Sequence, residues 1–521
     1  MLIYYSMLSK QKINIFKRPK LGSARITMMN MNTKITDSNG MKQREKASGL
    51  STAKLMENAG TAFAHAAAEK MQPKTAVCIL AGCGNNGGDG FVTARLLAED
   101  HQVSVLLVDG MPKTKEALRN YKRLNASIFP AKKDWKKVLA KADVIIDAVY
   151  GFSYHGSLSS ETASLFDTVN DLKKTVYAVD INSGCEADTG YCDPHALHST
   201  ITFALDCRKP FHLLRKEHQM FEQCICLDLQ LPEMDETHYL TMDEEQFFAH
   251  FPKKKENSYK GTYGRTLIIG GCFGMAGAVS LNLYGAKTVG APYINCALPE
   301  EIYNIVSTQH VTTVFHPFGH QTVLSVLEPL VHDTRVVAFG SGCACMDRRN
   351  DVLDYVLQNS TAPIILDAAA IRLLKHNTWV LRFAHAPIIL TPHLGEFADL
   401  INQPSAYIKD HKVECAVKFA KENKVTVVLK GSNTIAAFPN GDLYINQSGN
   451  QALAQAGAGD LLTGIMAGTL TFTADVTSAV CMAVWLHGHL AEVGCETYSM
   501  QNFSLEKYPE IMDHIFQKHG Y

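Results

Sequence analysis

From Thr75 onward the chain alternates short apolar runs with segments of helix length, the pattern that predicts a parallel β-sheet covered by helices on both faces. The apolar runs of a first series are Ala76–Leu80, Val103–Val108, Asp143–Asp147, Thr175–Asp180 and Thr200–Leu205, and Gly90–Glu99 and Ser159–Asn170 fit helices between them. A second series follows at Arg265–Ile269, Tyr293–Ala297, Val336–Phe339, Pro363–Asp367, Pro387–Leu390, Val425–Leu429 and Thr434–Phe438. Between the two, Leu231–Gly261 carries an acidic stretch (Glu233, Asp235, Glu236, Asp243, Glu244, Glu245) and then Lys253, Lys254 and Lys255, which marks a boundary near Pro232 to Leu240. No fixed short period relates the series, so a solenoid does not describe the chain. The expected class is α/β with two α/β domains, residues 37–232 and 258–521, joined by a linker over 233–257.

Composition narrows the function classes. A length of 521 residues suits about two to four domains. Hydrophobic residues at 46% and charged residues at 19% argue against a disordered or coiled-coil chain. Lys plus Arg (50) balances Asp plus Glu (51), so no general field favours nucleic acid or an anionic membrane, and a small molecule is the expected partner. No apolar run reaches the roughly 18 residues of a membrane span. The 14 cysteines are scattered, often inside apolar runs, and read as reduced thiols of a cytoplasmic protein. The close pairs Cys224/Cys226 and Cys343/Cys345 lack zinc-knuckle spacing. Residues 1–36 hold seven Lys/Arg and no acid, which predicts a disordered add-on, with a transit peptide or an overextended start as the other readings.

After the first strand comes Gly82-Cys83-Gly84-Asn85-Asn86-Gly87-Gly88-Asp89-Gly90, which formally contains GxGxxG, with Asp109 about twenty residues on. The Asn-Asn-Gly-Gly-Asp insert adds side-chain oxygens where a pyrophosphate wants bare backbone, so the dehydrogenase reading is weak. The plain alternative is a tight turn needing glycine dihedrals. Asp147 and Asp180 close two further strands, and in open parallel sheets ligands bind outside those carboxyl ends, so the three segments define one candidate site. From Leu55-Met56-Glu57-Asn58-Ala59-Gly60 to about Lys209, these motifs resemble the YjeF N-terminal domain, the NAD(P)H-hydrate epimerase family, which implies a Rossmann-like three-layer domain. The resemblance implies interconversion of the R and S hydrates of NADH and NADPH, with a K+ ion held by Asn86, Asp147 and Ser183. It makes Asp180 the acid/base group, and Asn85, Asn86, Gly87, Gly88 and Asp89 with Gly151, Phe152, Ser153, Tyr154, His155, Gly156 and Ser157 the substrate-binding residues. Cys83 and Asn182 stand where the family usually has proline.

In the second series, Asn450–Gly464 is a run of small residues opening an apolar helix. Glycines there let backbone N–H groups face a transferring phosphoryl group, and Asp460 follows directly, placed to take a proton from an attacking hydroxyl. A glycine-rich helix start with Asp460 as a partner of the helix dipole is an equal reading of that segment alone. No Walker A motif occurs. His393 and Lys430 also follow buried strands. Together, Tyr259-Lys260-Gly261, Gly270-Gly271 with Gly274, Gly277 and Ala278, Gly340-Ser341-Gly342, Thr391-Pro392-His393, Lys430-Gly431 and Gly457-Ala458-Gly459-Asp460 resemble the ribokinase-like three-layer fold in its NAD(P)H-hydrate dehydratase branch, from about Ser258 to His514.

That branch implies phosphorylation of the C6 hydroxyl of the S hydrate by ADP or ATP, followed by loss of phosphate. It makes Asp460 the base, Gly457 and Gly459 parts of the anion hole, and Lys430, Gly431, Ser432, Asn433 and Thr434 the nucleotide-binding segment. Ala278, Gly342 and His393 match hydrate-binding positions, and Mg2+ is expected on the phosphates. Tyr259, Pro292, Cys343-Ala344 and Ala369 depart from the branch's usual residues. The expected function is a bifunctional nicotinamide-nucleotide repair enzyme acting on NADHX and NADPHX, in which the epimerase supplies the S form that the second half consumes. The alternatives are a ribokinase-like small-molecule kinase and a catalytically impaired nucleotide-binding regulator. Family resemblance also implies a homo-oligomer.

Overall fold

The computed structural model describes residues 34–130, 135–233 and 238–521. A first sheet is built from β1 (Ala76–Ala81), β2 (Gln102–Leu107), β3 (Ser127–Pro130), β4 (Val144–Ala148), β5 (Thr175–Val179), β6 (Ser199–Leu205) and β7 (Phe221–Leu227). Its strands are all parallel, in the order β3-β2-β1-β4-β5-β6-β7. The period-2 alternation of strand side chains builds a core on each face. Val77, Ile79 and Ala81 pack with Phe63 and Phe91, while Cys78 and Leu80 pack with Leu139 and Phe166. The order reverses between β1 and β4, which opens a crevice at their carboxyl ends.

A second sheet uses β8 (Tyr239–Leu240), β9 (Thr266–Ile269), β10 (Ile294–Pro299), β11 (Val314–Phe318), β12 (Val336–Phe339), β13 (Ile364–Leu366), β14 (Ile388–Leu390), β15 (Thr426–Leu429), β16 (Ile435–Ala437) and β17 (Leu443–Ile445). The order is β11-β10-β9-β12-β13-β14-β15-β16-β17-β8, parallel as far as β15, with β16 antiparallel to both β15 and β17. Leu267 and Ile269 face one core and Ile268 the other, so this half is also three-layered. The expected strands are present. The elements that escaped the sequence reading are β3 and β11 at sheet edges, β7, and the short β17 and β8.

One expectation about organisation changes. Residues 233–257, read as a linker, contain β8, which pairs in parallel with β17, and a helix Glu244–His250 whose N-cap is Asp243. Phe247 is fully buried, and Phe251 one turn later packs with Phe472 and Phe516. Three of the acids that suggested a linker, Asp243, Glu244 and Glu245, occupy the cap and the first turn, where the helix dipole favours them. Similarly, the basic segment 1–36 lies outside the described residues as far as 33, but Lys34–Thr36 is held. Arg208 N–H donates to the Lys34 carbonyl at 2.9 Å, Thr36 N–H donates to that of Arg208 at 2.9 Å, and Ile35 is buried between them.

The expectation that every cysteine is a free thiol is also corrected. Cys185 and Cys192 face each other across an antiparallel bridge and form a disulfide, a proximity made by the turn between them that sequence spacing does not show. Among the described residues, no helix is long and apolar enough to cross a membrane.

Helices Ala276–Thr288 and Ala458–Phe472 cross with their backbones in contact. A Cβ on Gly285 would lie 2.3 Å from the Leu461 carbonyl oxygen, and one on Gly464 would lie 2.1 Å from that of Asn282. This close approach fixes the Gly457–Asp460 end of one helix beside Leu281 and Asn282 in the middle of the other, and a hydrogen bond from Asn282 Nδ2 to the Asp460 carbonyl at 2.6 Å locks it.

Candidate functional site

The crevice of the first sheet is a cavity of about 550 Å³. Asn85, Asn86, Asp89, Gly151, Phe152, Ser153, Tyr154, His155 and Asp180 line it, together with Glu45, Met41 and Met56. The glycine segment is not a loop as expected. Asn85 to Leu97 is helical, with Gly84 as the N-cap, and none of Gly82, Gly84, Gly87, Gly88 or Gly90 has positive φ. Glycine is required for close approach instead: a Cβ on Gly87 would lie 2.0 Å from the Gly82 carbonyl oxygen, and one on Gly90 2.7 Å from the Ala148 Cβ. Gly87 and Gly88 are therefore buried against the protein and set the helix close to β1, leaving Asn85, Asn86 and Asp89 to face the cavity. Gly156 and Ser157 are exposed beyond its lining, and Gly156 N–H donates to Glu186 Oε1 at 3.2 Å.

Asp180 sits in the left-handed region at φ +63°, a conformation that costs energy for a residue with a Cβ and is held by its partners. Its Oδ1 accepts from Leu205 N–H at 2.9 Å and from the fully buried Lys209 Nζ at 2.6 Å, and its carbonyl accepts from His212 Nε2 at 2.7 Å. Burial raises the Asp89 carboxyl well above its usual range, with the charges of Asp180 and Glu45 adding to the effect. Glu45 is raised by burial and then by Asp180. A cavity with several carboxyls and one buried ammonium can hold and move a proton. Asp109, the acid a dinucleotide motif would give to a ribose, instead accepts from the Tyr150 hydroxyl at 3.2 Å.

Asp147 and Ser183 meet just behind the cavity wall. Asp147 is wholly buried, its Oδ2 accepts from Ser183 N–H at 2.7 Å, and its Oδ1 accepts from the Ser183 hydroxyl. Burial pushes its carboxyl up to about 6. Asn86 lies across Gly151 from them, its Oδ1 3.1 Å from where a Gly151 Cβ would be. Asn182, in a place where proline is usual, fastens its loop by donating to the carbonyls of Leu197 (2.8 Å) and Met220 (3.0 Å).

In the second half, Gly457 adopts φ +89° and starts the helix Ala458–Phe472, with Asp460 in its first turn. Lys430 Nζ lies 3.0 Å from where a Gly459 Cβ would be and donates to Asp367 Oδ1 at 3.0 Å. Asp367 is buried and also accepts from Ser341 Oγ (2.9 Å) and Thr391 Oγ1 (2.8 Å). Despite burial, the Lys430 charge and these hydrogen bonds hold its carboxyl below the usual range. Asp460 behaves oppositely: burial first, then the charge of Asp367, push it up to about 6. One acid is thus a fixed anion and its neighbour a proton acceptor near neutrality.

Ala278 and Gly342 adjoin, since a Cβ on Gly342 would lie 3.0 Å from the Ala278 Cβ. His393 caps the helix Leu394–Ile401, its Nδ1 accepting from Gly395 and Glu396 N–H, and its backbone bridges Lys430. Gly431, Ser432 and Thr434 are open to solvent or half-buried, whereas Asn433 is fully buried with its side chain spent inside the protein. Ala369 belongs to the core, its methyl packed among apolar neighbours where the resembling branch usually carries an acid.

Residues 52–211 match the family model described as YjeF-related protein N-terminus, and residues 266–510 match that described as NAD(P)H-hydrate dehydratase. Across the whole chain, the bifunctional NAD(P)H-hydrate repair enzyme Nnr of Moorella thermoacetica is 31% identical over 463 residues, 83% of this chain and 86% of that protein. The chain belongs to the bifunctional NAD(P)H-hydrate repair enzymes. The ADP-dependent (S)-NAD(P)H-hydrate dehydratase of Bacillus subtilis is 32% identical over 53% of this chain and 97% of its own length. The crystal structure of an ADP/ATP-dependent NAD(P)H-hydrate dehydratase from that organism, co-crystallised with ATP/Mg2+, matches 53% of this chain and 97% of its own, with 30% identity and a TM-score of 0.48.

For this repair-enzyme chain, Asp180 and Asp460 were legible as acids closing a strand or opening a helix. Asp367 carries the same strand-end signal, directly after Ile364–Leu366, and its role shows only in the partners that converge on it. Glu45, in a polar helix before the first apolar run, and Lys209, alone ahead of Pro210, gave no local signal.

Proposed function

We propose that residues 37–232 interconvert the R and S hydrates of NADH and NADPH, with Asp180 as the acid/base group, and that residues 258–521 with their docked segment Tyr239–Phe251 dehydrate the S form at the expense of ADP or ATP. The observation that carries the second assignment is the grouping of Asp460, Lys430 and Asp367 at a helix N-terminus, beside the adjoining Ala278 and Gly342. Hydroxide is a poor leaving group and phosphate a good one. Asp460 takes the proton of the C6 hydroxyl as the hydroxyl oxygen attacks the terminal phosphorus, the bond from that phosphorus to the bridging oxygen breaks so that AMP leaves from ADP or ADP from ATP, and the amides of Gly457 to Gly459 with Lys430 hold the charge on the phosphoryl oxygens. Breaking the C6–O bond then releases phosphate, and loss of the C5 proton restores the reduced ring.

Asn86, Asp147 and Ser183 are the proposed K+ ligands. Their donors are oxygens, as a hard cation requires, and among the described residues no cationic side chain pairs with the buried Asp147 carboxyl, which fits a cation beside it. Bound K+ would supply a fixed positive charge beside the hydrate. Among the described residues, no three His, Cys, Asp or Glu gather as a metal cage, which suits Mg2+ carried in on phosphate oxygens, where it would shield their charge.

The test is the return of reduced-nicotinamide absorbance from mixed R and S NADH hydrate, with Mg2+ and K+, comparing ADP, ATP and no nucleotide. Full recovery that depends on nucleotide is expected. A stable phosphorylated product without recovery would establish a plain kinase instead.

The acid limb of dehydration is a second expectation. Asp460 is active when ionised, and its carboxyl is raised to about 6. Turnover should hold above that value and fall about tenfold per pH unit well below it. A kcat profile flat to pH 5 would remove Asp460 from the role.

A further inference from the structure

The second half's nucleotide segment is held in place by residues of the first half. After β6, Lys209 and His212 tie the chain to Asp180, and Leu213 and Leu214 then enter the core of the second sheet. The next turn, Arg215–His218, lies against Lys430–Thr434, and its contacts converge on Asn433. Glu217 Oε1 accepts from Asn433 N–H at 3.0 Å and from Lys412 Nζ at 2.9 Å, and Lys412 Nζ donates onward to the Asn433 carbonyl at 2.6 Å. Lys216 N–H donates to Asn433 Oδ1 at 2.9 Å. Its ammonium donates to the carbonyls of Gln447 (2.8 Å), Ser448 (3.1 Å) and Gly449 (2.6 Å), which lead into Asn450 and the anion-hole turn. Thus the N–H, the carbonyl and the side chain of Asn433 are all fixed, two of them directly from the other half.

We propose that Lys216 and Glu217 are positioning residues for the nucleoside diphosphate or triphosphate donor of the second half, so that the first half forms part of that donor site. The proposal rests on the reading of Lys430–Thr434 as the nucleotide segment. The physical reason is preorganisation. Gly431, Ser432 and Thr434 form a turn whose internal closure is two bonds between Gly431 and the Thr434 hydroxyl, with the Ser432 hydroxyl donating to the Lys216 carbonyl of the other half at 3.4 Å, and such a rim must be ordered on binding unless something else has already ordered it. Removing the Glu217 carboxylate leaves Lys412 buried with a carbonyl as its remaining partner and strands the Asn433 N–H, so the segment relaxes. Neither side chain needs to touch the donor.

The test is steady-state dehydration of the S hydrate by the full chain, varying ADP and then ATP, for Glu217→Ala, Lys216→Ala and Lys216→Met, with Glu217→Gln as the conservative variant and Thr434→Val as a direct change to the segment. The alanine and methionine variants should raise the KM for nucleotide about ten- to a hundredfold with kcat changed less than about threefold. Glu217→Gln should restore most of the affinity, because an amide oxygen still accepts from Asn433 N–H. The KM for the hydrate and the epimerisation rate should stay at their wild-type values. Lys216→Met keeps the aliphatic stem, so it answers the question if Glu217→Ala does not fold.

A nucleotide KM unchanged in the Lys216 and Glu217 variants but raised by Thr434→Val would overturn the proposal and leave the reading of the segment intact. If Thr434→Val were also silent, the reading itself would fall and the proposal with it. Loss of kcat and of melting temperature together, without rescue by Glu217→Gln, would mean a purely structural contact and would overturn the proposal as well.

Discussion

Asp460→Asn is expected to slow dehydration of the S hydrate by about a hundred- to ten-thousand-fold while epimerisation continues at its wild-type rate. Asparagine has nearly the same shape and cannot take the hydroxyl proton. The helix start around it is fixed by other contacts, since Asn282 bonds the Asp460 carbonyl and Gly285 and Gly464 set the helix crossing. The substitution therefore removes a proton acceptor and spares the fold. Binding of nucleotide should survive, because Lys430 keeps Asp367 as its partner. Absorbance recovery from pure S hydrate reads the first quantity, and conversion of R to S by chromatography reads the second. Dehydration within tenfold of wild type would show that the proton goes elsewhere.

The complementary substitution, Asp180→Asn, is expected to cut epimerisation by about a hundred- to ten-thousand-fold and to leave dehydration intact. With ADP and a mixed hydrate the trace should split in two: the S fraction returns at the wild-type rate, and the R fraction follows only as fast as it epimerises without the enzyme. Asparagine can still accept from Lys209 and Leu205 through its amide oxygen, so the left-handed turn keeps its partners. What is lost is the exchangeable proton and the charge that faces Asp89 and Glu45. A single fast phase would assign the proton transfer to one of those two carboxyls instead.

Much of this fold was visible because parallel strands are buried on both faces and read as unbroken apolar runs such as Val144–Ala148. Edge strands do not, as His316 and Pro317 in β11 illustrate. The glycines of 82–90 are plain in the sequence but ambiguous in purpose, because the same residue serves a left-handed dihedral and a backbone contact at 2.0 Å, and only the neighbour across the contact tells the two apart. Asp147, Asp180 and Asp460 announce themselves by ending a strand or opening a helix. Glu45 reaches the cavity, and Lys209 reaches Asp180 behind its wall, by way of tertiary packing, and a local pattern holds no trace of that. The burial of Asn433 belongs to the same class, since it depends on Lys216 and Glu217, more than 200 residues earlier, whereas the Cys185–Cys192 pair is close in sequence and depends on the turn between them.

The docking of Tyr239–Phe251 on the second sheet bears on how the two activities can be carried by separate genes. A division at residues 257 and 258 would leave β17 as a bare outer strand, a ready template for pairing with another chain, and would uncover the apolar face that Phe247 and Phe251 now fill against Trp485 and Phe472. A viable gene boundary lies upstream of Tyr239. Even a second half that begins there has parted with Glu217, and must find another acceptor for the buried ammonium of Lys412.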